Sequence, residues 1–177
     1  MSLNTQIAQR ILARHKAKTE VAPDTHPLDW IESNFYIPET LAPIQLIPYQ
    51  RAVLEEAYRT DADGNYAYSV VVWSDVKKSA KSSIAAAVAL ERARRMAWGS
   101  IKVVANDLKQ ADSRVAFYAR RAIELATNAQ RPFTAGLQMK PSGYQITFPN
   151  RAMIEAIPVD PKGEAGGGDL IVCFTEL

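Results

Sequence analysis

Apolar and polar positions change their period several times along the chain, and each change predicts an element. Val70, Val71, Val72 and Trp73 form an unbroken β-branched and aromatic run, the pattern of a strand covered on both faces. An alanine-rich stretch from Ile84 to Leu90 predicts a helix soon after it, which Gly99 is expected to end. Ile101 to Ala105 repeats the strand signal. Leu108, Ala111, Val115, Tyr118, Ala122 and Leu125 then recur in steps of three and four, which predicts one long helix capped by Asn106 or Asp107 and burying a single stripe. Strand, helix, strand, helix predicts an α/β fold with a mainly parallel sheet flanked by helices. The period drops to two at Tyr144, Ile146 and Phe148, Pro149-Asn150-Arg151 reads as a turn, and Met153 to Ile157 resumes, so a β-hairpin is inserted. Leu170 to Phe174 is a last buried strand. The run Ser69 to Trp73 is expected at the centre of the sheet, between 101–105 and 170–174.

Ahead of these elements, Leu3, Ile7 and Ile11 lie at helical spacing, with Arg10, Arg14, Lys16 and Lys18 beside them. Residues 1–20 therefore predict a basic amphipathic helix, which either packs on its own domain or contacts DNA or a partner protein. Pro23, Pro27, Pro38 and Pro43 confine the following segment to short elements, with one helix around Leu28 to Asn34. A further helix starts at Pro48 and shows Ala52, Leu54, Ala57 and Tyr58 in helical order. The organisation read from this is an arm over 1–45 and a domain over 46–177. At 177 residues, with 47% hydrophobic and 23% charged residues, the chain supports one sizeable core, and its net charge of +2 does not by itself argue for nucleic acid. The single cysteine, Cys173, falls in an apolar run and reads as a core residue. No apolar run is long enough to span a membrane.

The candidate chemistry lies between the first predicted strand and its helix. Val76-Lys77-Lys78-Ser79-Ala80-Lys81-Ser82 has the order of a phosphate-binding loop, with Lys81 in the place of the lysine and Ser82 in the place of the hydroxyl. Asp75 and Ala80 stand where that pattern has glycine, which removes backbone freedom the loop ordinarily uses. A negative φ is expected at Ala80, as the residue opening the helix. A strand before and a helix N-terminus after the loop both favour an anion there; the plain alternative is a Lys/Ser-rich surface turn. Gln50, in the first turn of its helix, has an amide able to pair with adenine, or simply faces solvent. Glu176 follows the last predicted strand, where an acid could polarise a nucleophilic water, and Thr175 precedes it with a hydroxyl that could bond to a metal-bound water.

Taken in order, Pro48-Tyr49-Gln50, the 76–82 loop, Ala105-Asn106-Asp107 with Gln110-Ala111, and Phe174-Thr175-Glu176-Leu177 resemble the N-terminal ATPase half of a tailed-phage terminase large subunit, over roughly residues 28–177. The resemblance implies a P-loop NTPase fold, part of an ATP-driven motor for packaging viral DNA. Its nuclease and the later strands of its sheet would lie beyond Leu177. It implies ATP and Mg²⁺ as cofactors. Gln50, Lys77, Lys78, Ser79, Ala80, Lys81, Ser82 and Ser83 would bind the nucleotide, with Ser82 and Thr175 serving the metal. Lys81, Lys77 and Glu176 would carry catalysis, Lys77 as a sensor of the γ-phosphate. The implied partners are double-stranded viral DNA, a portal, a small terminase subunit and further copies of the chain on the capsid, in the cytoplasm of a bacterial host. The alternative is a degenerate P-loop module that binds nucleotide, DNA or a partner protein without turnover.

Overall fold

The computed structural model describes residues 25–105, 107–140, 145–158 and 171–174, the last stretch by its backbone. The predicted 1–20 helix, Asn106, Tyr144, Thr175 and Glu176 lie outside the described residues.

Helix α1, Pro27–Asn34, begins on a proline whose fixed φ suits a first turn, and His26 Nδ1 accepts from Leu28 N at 3.4 Å. It buries Leu28, Trp30 and Ile31. A small ladder pairs β1, Tyr36–Ile37, with β2, Ala42–Pro43. Helix α2, Pro48–Ala57, again starts on proline and sets Leu54 into the core. Helix α3, Lys81–Arg95, is closed in on nearly every side: Ile84, Ala86, Ala87, Ala89, Leu90 and Ala93 are all buried. Its alanines let α1 and the later helices approach closely. Full burial of a side chain such as Leu90 stabilises by about 1.5–3 kcal/mol.

Strand β3, Ser100–Ala105, is followed by α4, Leu108–Ala111, a π turn at Asp112–Ala116 and α5, Phe117–Asn128. The single long helix expected here is thus broken, with Arg114 at φ −108°, ψ −107°. The wide turn re-phases the helix. The buried stripe runs through Ala111, Val115, Ala119, Ile123 and Ala126, and the expected Tyr118 and Leu125 lie half-buried at its margin. A 3₁₀ turn, Pro132–Thr134, leads to β4, Gln138–Met139, then β5, Gln145–Thr147, β6, Met153–Pro158, and β7, Ile171–Phe174.

Among the described residues these strands form one sheet of order β4-β5-β6-β3-β7. The fold is α/β with this sheet flanked by helices. The expectation of a mainly parallel sheet is corrected: β3 is parallel to both β6 and β7, whereas β4, β5 and β6 are antiparallel in succession. The hairpin β5-β6 forms as its period-two pattern predicts. Its second strand is also the neighbour of β3, with Ile101 opposite Ile154 and Val103 opposite Ala156. That pairing explains a second correction. Ser69–Trp73 is no strand, and Val70 and Val72 are 74% and 86% exposed. A β-branched run becomes a strand only where a sheet edge receives it, and β6 and β7 occupy both edges of the β3 strand it was expected to join. Among the described residues no helix is long and apolar enough to cross a membrane.

Candidate functional site

The 76–82 loop owes its place to α3. Asn150 Nδ2 donates to Ala93 O (2.8 Å) and Arg94 O (3.0 Å) at the end of that helix, and Asn150 O accepts from Trp98 N (3.0 Å). Gly99 O accepts from Met153 N at 2.8 Å, so the end of α3 is bolted to the beginnings of β3 and β6. The left-handed residue of this turn is Trp98, at φ 63°, rather than Gly99. Fifteen helical residues rise about 22 Å and six strand residues about 20 Å. The start of α3 therefore lies toward the carboxyl ends of β3 and β6, the side on which open α/β sheets hold ligands. Ser83, in its first turn, sits beside the Tyr118 hydroxyl, which donates to Glu39 Oε1 at 2.7 Å.

Within the loop the sign of φ alternates. Lys78 (68°) and Ala80 (64°) are left-handed, whereas Lys77, Ser79 and Lys81 are not. Such alternation turns successive N–H groups toward one concavity, an anion-binding nest. Ala80 is also the N-cap of α3 and makes no side-chain cap. The position that Ser, Thr, Asp or Asn usually fills is left without a side-chain acceptor, so the amides of the first turn keep their capacity for an outside one. Lys81 Nζ curls back over the loop, donating to Asp75 O (2.8 Å) and Val76 O (2.6 Å), with Ser79 Oγ at 3.4 Å. The loop thus joins a nest-like alternation of φ to one ammonium folded onto its first two carbonyls, a combination that suits a phosphate.

The expected negative φ at Ala80 is corrected to +64°. The residue before the lysine closes the nest instead of continuing the helix, and an alanine Cβ there stores about 1 kcal/mol. Ala80→Gly should therefore raise stability by about 1 kcal/mol, read as a rise of roughly 2–4 °C in Tm; an unchanged Tm would show that the loop bears no strain at this residue.

Two side chains of α2 reach the loop. Tyr49 donates its hydroxyl to Asp75 Oδ2 at 2.6 Å, and Asp75 Oδ1 accepts from Val76 N at 2.7 Å. The Tyr49 bond, and after it the Val76 amide, hold the Asp75 carboxyl below its ordinary value, while that carboxylate pushes the Tyr49 phenol up. Gln50 is buried, at 7% exposure. Its Oε1 accepts from Ile47 N (3.2 Å) and its Nε2 donates to Ser79 O (3.1 Å), so the amide expected to face adenine is engaged with the loop.

The structure thus brings together Gln50, Ser79, Ala80 and Lys81, with Ser82 half-buried and Ser83 buried in the first turn of α3. Lys77 and Lys78 are exposed on the loop. Among the described residues no group of three His, Cys, Asp or Glu could hold a metal, and Ser82 is the one predicted metal ligand within them. Tyr49 and Asp75 are the site residues that the sequence reading missed as a pair. They are 26 positions apart, and each was marked for a separate reason, Tyr49 by the likeness of Pro48-Tyr49-Gln50 to a motif and Asp75 by standing where the loop pattern has glycine. Comparison of the chain with the profiles of known families, with curated proteins and with solved structures finds no match.

Proposed function

We propose that the chain is a P-loop nucleotide-binding domain that grips the phosphates of ATP at residues 76–83, of the kind found in the ATPase half of phage terminase large subunits. The observation that carries this reading is the alternating φ of Lys77 to Lys81 running into the uncapped α3. Two features support it: a backbone whose alternating φ is that of a nest, and a Lys81 ammonium that would need only to exchange its two carbonyl partners for phosphate oxygens. Ser82, one residue into the helix, supplies a hydroxyl for the magnesium that travels with ATP. That ion would neutralise phosphate charge. Lys77, exposed on the loop, would meet a terminal phosphate that projects outward. Glu176 would orient water, and packaging of double-stranded viral DNA by a ring of copies at a portal, with a small terminase subunit, in the cytoplasm of a bacterial host, would be the setting.

Left-handed Ala80 and Lys78 favour a second reading, a phosphate-gripping module that binds nucleotide without turnover. One sample separates the two. Titration with a fluorescent ATP analogue, with and without Mg²⁺, should give saturable binding that Mg²⁺ strengthens, and release of inorganic phosphate then distinguishes turnover from binding alone. No saturation at millimolar analogue under either condition would overturn both.

A further inference from the structure

We infer that Tyr49 and Gln50 are positioning residues, a two-point clamp from α2 that holds a glycine-free loop in its phosphate-accepting shape. The inference rests on reading residues 76–83 as a phosphate site. One point of the clamp is at the entrance, where the Tyr49 hydroxyl fixes the Asp75 carboxylate (2.6 Å) and that carboxylate fixes the Val76 amide (2.7 Å). The other is near the exit, where Gln50 Nε2 holds Ser79 O (3.1 Å) between the two left-handed residues Lys78 and Ala80. In a nest the N–H groups turn inward and the carbonyls outward. A donor on the Ser79 carbonyl from outside therefore supports the curvature, and a sparsely populated backbone conformation persists only where its surroundings over-determine it.

The clamp has a firm base. Gln50 Oε1 reaches back to Ile47 N, which braces the first turn of α2. Arg51, next in the chain, bonds Glu32, Asp29 (2.7 Å) and Glu55 (3.2 Å), tying α2 to α1. Glu32 also accepts from Leu46 N at 3.1 Å. Asp75 occupies the place where the usual loop has glycine, and its charge stands near where a phosphate would sit. With both oxygens engaged by Val76 N and Tyr49, that charge is spent on shaping the entrance.

Tyr49→Phe removes one hydroxyl from a partly exposed ring and leaves the packing of α2 alone, so it tests the clamp without threatening the fold. Amide hydrogen exchange at Val76 of the nucleotide-free protein, whose N–H donates to the Asp75 carboxylate, should quicken by about tenfold, the loss expected for one bond to a charged group. Affinity for the fluorescent ATP analogue should fall by a similar factor, with Tm unchanged. In an Asp75→Gly background, where glycine frees the backbone and the Tyr49 partner is gone, Tyr49→Phe should have no further effect on either readout. Unchanged exchange in Tyr49→Phe overturns the clamp, as does an equal loss of affinity in the Asp75→Gly background. If the parent protein binds no analogue but exchange still quickens in Tyr49→Phe, the clamp stands and the nucleotide reading falls.

Discussion

Glu91→Ala is expected to lower the unfolding free energy by about 3–5 kcal/mol, because it strands buried positive charge. Glu91 is fully buried in α3 and serves three partners: Tyr58 donates its hydroxyl to Oε2 at 2.9 Å, Arg94 Nη2 lies 3.2 Å from Oε1, and Arg95 Nε bonds the same oxygen. Two neighbouring arginines have little to spare. Arg92 lies between the rings of Tyr58 (4.2 Å) and Tyr66 (3.6 Å), and Arg94 lies over Trp30 at 4.6 Å. Among the described residues Arg92 Nη1 and Arg94 Nε have no hydrogen-bond partner, and burial lowers the pKa of both guanidinium groups. Removing the carboxylate leaves cations in a medium that cannot solvate them. Tm should fall by roughly 10 °C in a thermal melt. Glu91→Gln, which keeps the shape and part of the bonding, should lose less than Glu91→Ala. A loss below about 1 kcal/mol in Glu91→Ala would mean that water reaches the cluster and solvates the arginines.

Lys81→Ala is the functional counterpart. A single group that neutralises phosphate charge is commonly worth a hundredfold, so if the loop grips phosphate as proposed, nucleotide affinity, and turnover if there is any, should fall by about that factor. Lys81 also ties Asp75 O and Val76 O together, so the same variant loosens the loop it serves. Lys81→Arg separates the two effects: it keeps the charge and some of the carbonyl bonds but cannot place a compact ammonium at the rim. Lys78→Ala, at an exposed loop residue, should cost little by comparison. The titration that measures analogue affinity measures all three, and a loss under threefold in Lys81→Ala would remove phosphate binding from this loop.

Much of the helical framework was legible because periodicity and proline placement are local properties. Pro27 and Pro48 announce α1 and α2, and the alternation through Ile146 and Phe148 announces the hairpin. What was not legible depended on partners. The run Val70 to Trp73 has the composition of a buried strand, yet composition does not say whether an edge is free, and the β3 edges were taken by strands far along the chain. The π turn at Asp112–Ala116 carries no proline or glycine to mark it. The left-handed Ala80 was hidden for a related reason, since alanine is a good helix former and its φ is set here by the clamped loop. Lys81 and Ser82 drew attention to the loop in sequence, whereas the contact between Tyr49 and Asp75 is made only by folding.

The alanines of α3 set a rule for which changes this chain can absorb. Ala86, Ala87, Ala89 and Ala93 are sealed between helices and sheet, and the helix they belong to is pinned at its far end by Asn150. A larger side chain at any of them has no vacant volume to enter, so the helix must slide or tilt. With the far end fixed, that displacement is passed to Lys81. The least reactive residues in the helix are thus the ones that set the height of the loop above the sheet, and sequence drift should be freer at the exposed Lys78 than at these four buried methyl groups.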